Sequence, residues 1–188
     1  MWNPRFTVAV LAFTLASLAP ATGRAQARQG DDESKIASAT SAAPAEISQA
    51  ATIKDWPAKQ GGELRTLRQG STEWVCLPDE PNTKGNDPMC LDRTWQAWLP
   101  AFMGKKNPPQ ATRSGIGYML TSDAEGSNTD PYATGPTPDN QWHKAGPHVM
   151  LLVSDPRQLE GLPAEPKSGA PYVMWKGTPY AHLMVPVK

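Results

Sequence analysis

Cysteine and histidine are scarce: the 188 residues contain two of one and three of the other. The two cysteines are not arranged as C-x-x-C and have no histidine nearby, so a thiolate-lined zinc site lacks its usual ligand spacing. Excess positive charge is missing too, the formal net charge being zero. No Lys/Arg stripe interleaved with aromatics appears, so nothing is built to track phosphates, and nucleic acid is a poor partner. No apolar run reaches the roughly 20 residues of a membrane-spanning helix; the longest, Phe6 to Leu18, has about 13. No serine sits in a G-x-S-x-G elbow.

That short apolar run has a recognisable setting. Arg5 precedes it, Pro20 and Gly23 follow it, and Ala25-Gln26-Ala27 supplies small residues at the spacing a signal peptidase requires. Residues 1–27 are therefore expected to be a cleavable secretory signal, and 28–188 a single globular domain of ordinary domain length. Cleavage takes Arg5 and Arg24 from the 18 basic residues and leaves 16 against 18 acidic ones. The expected location is the periplasm or the exterior, with no membrane span after cleavage. In such an oxidising compartment Cys76 and Cys90 are expected to form a disulfide.

Along the mature chain, residues 28–33 are polar and expected to fray. Ile36, Ala39, Ala43, Ile47 and Ala51 recur near a 3.6-residue period, predicting helix over 34–51, broken so that Pro44 opens a second piece. Residues 63–67 and 73–77 read as a hairpin around Gln69-Gly70-Ser71-Thr72. Asp87-Pro88 resembles a cap followed by proline, predicting a helix from Pro88 to about Met103 with Trp95 and Trp98 on its buried face. A strand is expected over 115–120, then a long loop over 123–145, then a strand over 148–153 buried on both faces. Asp155-Pro156 predicts a helical turn. Residues 172–175 and 180–187 form a last hairpin, with Pro186 favouring an edge position. With no regular alternation of strands and helices, the expected class is α+β: an antiparallel sheet of about five to six strands with short helices on one side and one disulfide.

Three constellations could carry chemistry. His148-Val149-Met150 is echoed by His182-Leu183-Met184, and Tyr172-Val173-Met174 has the same spacing. Residues i and i+2 of a strand share a face, so each segment aims an imidazole and a thioether one way, a donor pair suited to copper. Methionine is equally a core filler, and a strand slipped by one residue would separate the histidines. Asp123, Glu125, Ser127, Thr129 and Asp130 alternate oxygens as calcium loops do, but Asn128 and Thr134 depart from the required glycine and glutamate. Trp142 and His143, in the long loop, offer an aromatic face and a polar tip to a sugar or peptide.

The stretches Trp74-Val75-Cys76-Leu77-Pro78-Asp79, Asp87-Pro88-Met89-Cys90-Leu91-Asp92 and the segment from Pro171 to Pro186 resemble exported bacterial proteins known only as hypothetical. The resemblance extends over nearly all of the mature chain and implies no fold, activity or ligand. The leading expectation is a non-catalytic binding or interaction domain of the cell envelope, without cofactor, whose partner is a small molecule, a glycan or an envelope protein. The second reading is periplasmic copper binding through His148, Met150, His182 and Met184. The third is an envelope hydrolase using one of the serines with His143 or His148.

Overall fold

A computed structural model describes residues 22–59 and 62–187, with 22–27 described by their backbone alone. Arg5 and the apolar run from Phe6 to Leu18 lie outside the described residues. Among those described, no helix is long and apolar enough to cross a membrane.

Helix α1, Thr22–Thr40, continues through 28–33, where fraying was expected. Ion pairs hold that turn down: Lys35 bridges Asp31 at 2.9 Å and Asp55 at 3.1 Å, and Arg65 reaches Asp32 at 2.6 Å and Asp55 at 3.0 Å. The helix stops before Pro44, which stands in extended conformation as the cap of α2, Ala45–Ser48, so the expected break is present. Strands β1 (Thr52–Asp55) and β2 (Arg65–Arg68) then pair antiparallel. The expected hairpin of β2 with β3 (Val75–Leu77) does not form. The chain crosses the end of β1 instead, and β3 runs parallel to β1 on its other side. Gly70 makes that crossing possible, since a Cβ there would collide with the backbone of Ala51 and Thr52.

Strand β4, Met89–Leu91, occupies the start of the expected long helix, and α3 begins only at Arg93, running to Met103. The working cap is Asp92 rather than Asp87. Its Oδ1 accepts from the backbone N–H of Thr94 and Trp95 at 2.9 and 3.0 Å, while Oδ2 accepts from Ile116 N at 2.9 Å. One carboxylate thus satisfies two orphan donors of the helix and ties it to the next strand. Pro100 lies on the exposed side of α3 and does not end it.

Strand β5 is Gly115–Met119. The expected long loop contains a separate two-stranded ribbon, β6 (Glu125–Ser127) with β7 (Trp142–Lys144). Strand β8 is His148–Leu152, followed by 3-10 turns at Pro156–Leu159 and Pro166–Ser168. The last hairpin pairs β9 (Tyr172–Met174) with β10 (His182–Pro186). Strand β10 is an interior strand between β8 and β9; Pro186 sits beyond the end of β9, where only β8 faces it.

The main sheet therefore has eight strands, more than expected, in the order β2-β1-β3-β4-β5-β8-β10-β9, antiparallel apart from β1 with β3. Helices cover both faces rather than one. Alternation along β3 and β4 divides the interior: Cys76 and Cys90 face α1 with Ala39, Ala42 and Ile53, while Leu77 and Leu91 face α3 with Trp95, Trp98 and Leu99. The expected disulfide joins Cys76 to Cys90, direct partners across β3 and β4. Strand β8 is central in order, yet its burial alternates instead of being complete on both faces. Mainly β with a few helices, the architecture still falls within the α+β class.

Candidate functional site

The register of β5, β8, β10 and β9 determines what faces α3. Met150 lies directly opposite Met184, and Gly117 opposite Met150. His182 lies opposite Met174, and His148 opposite Met119. Directly paired residues of an antiparallel ladder point to one face, so both histidines and four thioethers share it. The glycine leaves room: a Cβ on Gly117 would come within 2.9 Å of Met150 Cε and 3.3 Å of Trp95 Nε1.

Between this face and α3 lies a cavity of about 280 Å³. Met89, Met119, Met150, Met174 and Met184 line it, five of the chain's seven methionines. All three histidines line it too, His143 entering from β7. A larger groove of about 640 Å³ runs beside the other edge of α3 between Arg93 and Arg113, but among the described residues no buried polar atom is left unpartnered along it.

The three imidazoles are oriented alike. Each directs Nδ1 at the carbonyl two residues earlier: His143 at Gln141 O (3.3 Å), His148 at Gly146 O (2.6 Å) and His182 at Tyr180 O (3.0 Å). A carbonyl only accepts, so Nδ1 carries the proton and Nε2 keeps its lone pair. His143 Nε2 meets Tyr172 Oη at 3.0 Å, and burial pushes that phenol up to about 12. His182 Nε2 is buried and has no partner among the described residues, and the same holds for Trp95 Nε1. Rings enclose His182, with Trp95 and Trp175 centroids 5.2 and 5.1 Å from its own and planes steeply inclined to it. Burial lowers the pKa of all three histidines, that of His182 to about 4, so its ring is neutral.

The echoed segments are thus neighbours with their side chains on one face, though the two histidines do not converge. His148 is opposite Pro186, four residues from His182, or about 13 Å along the strand. Each imidazole stands at one end of the Met150–Met184 pair. Trp142 and His143 point to opposite sides of β7; Trp142 is half-buried outside the cavity, its indole N–H 3.3 Å from Glu125 Oε2.

The candidate calcium oxygens are committed in different directions. Asp123 Oδ2 takes Lys144 at 2.9 Å, Ser127 donates to Asn140 O at 2.8 Å, and Asp130 caps Tyr132 N at 2.9 Å. Among the described residues no group of three or more His, Cys, Asp or Glu side chains could share an ion. Nor does any serine hydroxyl bond a histidine there; Ser122, Ser127 and Ser168 donate to backbone carbonyls.

Sequence reasoning missed Trp95, Trp98 and Trp175 as cavity walls, and Met119 and Met174 as partners of the histidines. Period-two spacing in Tyr172-Val173-Met174 was the available signal for Met174. For Met119 it was a methionine two residues after a glycine on a strand. No family model matches the chain, and no curated protein or solved structure is significantly similar to it.

Proposed function

We propose that the protein is an exported, non-catalytic binding protein whose ligand is a small species held in the cavity between α3 and the sheet. The observation that carries this reading is a pair of buried, unpartnered polar atoms, Trp95 Nε1 and His182 Nε2, on side chains lining that one cavity. Buried polar groups are nearly always paired, and leaving one unpaired costs about 1 to 3 kcal/mol. Such a cost persists where a partner arrives from outside. The volume, about 280 Å³, lies just under the range of drug-sized pockets, which favours a small ligand over a glycan chain or a protein segment. Export rests on Arg5, the apolar run and the Ala25-Gln26-Ala27 site, and the disulfide is in keeping with it.

Native mass spectrometry of protein released gently from the envelope tests this. The expected result is an adduct lost on denaturation and missing from Met184→Trp, whose larger side chain fills the cavity. Bare-chain masses for both proteins under native conditions would count against it.

A further inference from the structure

Resting on that reading, we infer that the ligand is a soft monovalent cation, Cu(I), held by the Nε2 lone pair of His182 and the thioethers of Met150, Met174 and Met184. The ladder supplies the geometry. Met174 is the direct cross-strand partner of His182, Met184 is two residues along the same strand, and Met150 pairs with Met184 and so sits diagonal to the imidazole. Direct partners stand about 5 Å apart at Cβ and diagonal ones about 7 to 8 Å. Four-atom methionine side chains cover such distances to a common centre.

The donor chemistry selects the ion. Hard cations take oxygen ligands, and no carboxylate belongs to this set. Zinc prefers thiolates and several imidazoles, whereas the only cysteines are bonded to each other on the opposite face of the sheet. Cu(II) favours tetragonal nitrogen and oxygen donors, while thioether sulfur suits Cu(I). A single positive charge also suits a pocket walled by the aromatic rings of Trp95 and Trp175, which attract cations, and carrying Asp87, Glu125 and Asp130 but no Lys or Arg on its lining. The second coordination layer is already in place: metal-bound histidines usually donate their other N–H to a carbonyl or carboxylate, as His182 does to Tyr180 O.

The same arrangement recurs at the other end of the methionine pair, where His148 faces Met119 and stands two residues from Met150. Its Nε2 has no hydrogen-bond partner among the described residues, but His182 Nε2 is the fully enclosed one. The primary site is therefore placed at His182.

The experiment is an anaerobic titration of the full mature protein with Cu(I) against a competing Cu(I) chelator, with Zn(II) and Cu(II) in parallel. One tightly held Cu(I) per chain is expected. His182→Gln should weaken it at least about 100-fold, more than the usual loss from an outer-layer change. Met184→Leu and Met150→Leu preserve volume and packing, and each should weaken it about tenfold or more. X-ray absorption of the loaded protein should show sulfur in the first coordination shell. The inference is overturned by no chelator-resistant Cu(I) in the wild type, by binding unchanged in both leucine variants, or by equal affinity for Zn(II). An organic adduct in the native mass spectrum with no Cu(I) uptake would refute the ion and leave the binding reading standing.

Discussion

Acid should destabilise this protein through His182, and the size of the effect follows from its burial. The residue is 2 % exposed, and desolvation lowers its pKa from an ordinary 6.5 to about 4. The unfolded imidazole takes its proton as pH falls through about 6.5, while the folded one refuses until about 4. Stability is therefore full above 6.5 and declines as pH falls toward 4. The ceiling is about 3 kcal/mol at 1.36 kcal/mol per unit. At about pH 5 the linkage integral gives about 2 kcal/mol. His143 and His148 act in the same direction. Asp87 opposes them: burial and the neighbouring Asp79 raise its carboxyl from 3.8 to about 6, so its contribution to stability is fully present below 3.8 and is lost as pH rises through about 6. The bulk acid response mixes these groups, and a difference isolates one of them. Urea unfolding of wild type and His182→Gln at about pH 7.5 and about pH 5 should show the wild type losing about 2 kcal/mol more than the variant. Equal losses, or an imidazole resonance of His182 titrating near 6.5 in the folded protein, would refute the reasoning.

Reduction, or paired Cys76→Ala and Cys90→Ala substitution, should cost about 3 kcal/mol for a loop of this length, read from the shift of the urea midpoint with and without reductant. Asp92→Ala removes the acceptor for three backbone N–H groups. It should cost about 2 kcal/mol, the upper end of cap values, and speed amide exchange at Thr94, Trp95 and Ile116. Gly70→Ala places a methyl against the backbone of Ala51 and Thr52, so it should lower the melting temperature by several degrees or prevent folding, whereas Gly126→Ala, with nothing near its Cβ, should leave the melting temperature within a degree or so.

What could be read from sequence was local or periodic. The His-x-Met echo placed two strands with a common inward face, and the expected hairpin of residues 172–175 with 180–187 is the β9–β10 pair. Cysteine count, together with the expectation of export, identified the disulfide. Failures came where a long-range partner outweighed a local signal. Thr52-Ile53-Lys54-Asp55 looks too polar for a strand, yet β2 and β3 flank it on both sides and Ile53 is wholly buried. Asp87-Pro88 carried the stronger local cap signature, but Asp92 also receives the N–H of Ile116 from β5, a contact no local pattern contains. The expectation of helices on one side failed for a related reason: β3 and β4 are apolar at successive positions, Cys76-Leu77 and Cys90-Leu91, so both faces demanded cover. The cavity was half visible, since period two gives direction but not register. Register decided that the two histidines take opposite ends of the methionine pair.

The placement of β10 has a bearing on when the pocket can be filled. A chain made from its N-terminus delivers β5, β8 and β9 first, and β10 must then slide between the last two. Until it does, His182 and Met184 have not yet arrived, and Met150 and Met174 look onto an unfinished wall. The walls of the cavity are therefore completed only in the closing move of assembly, and any occupant enters once β10 is in place.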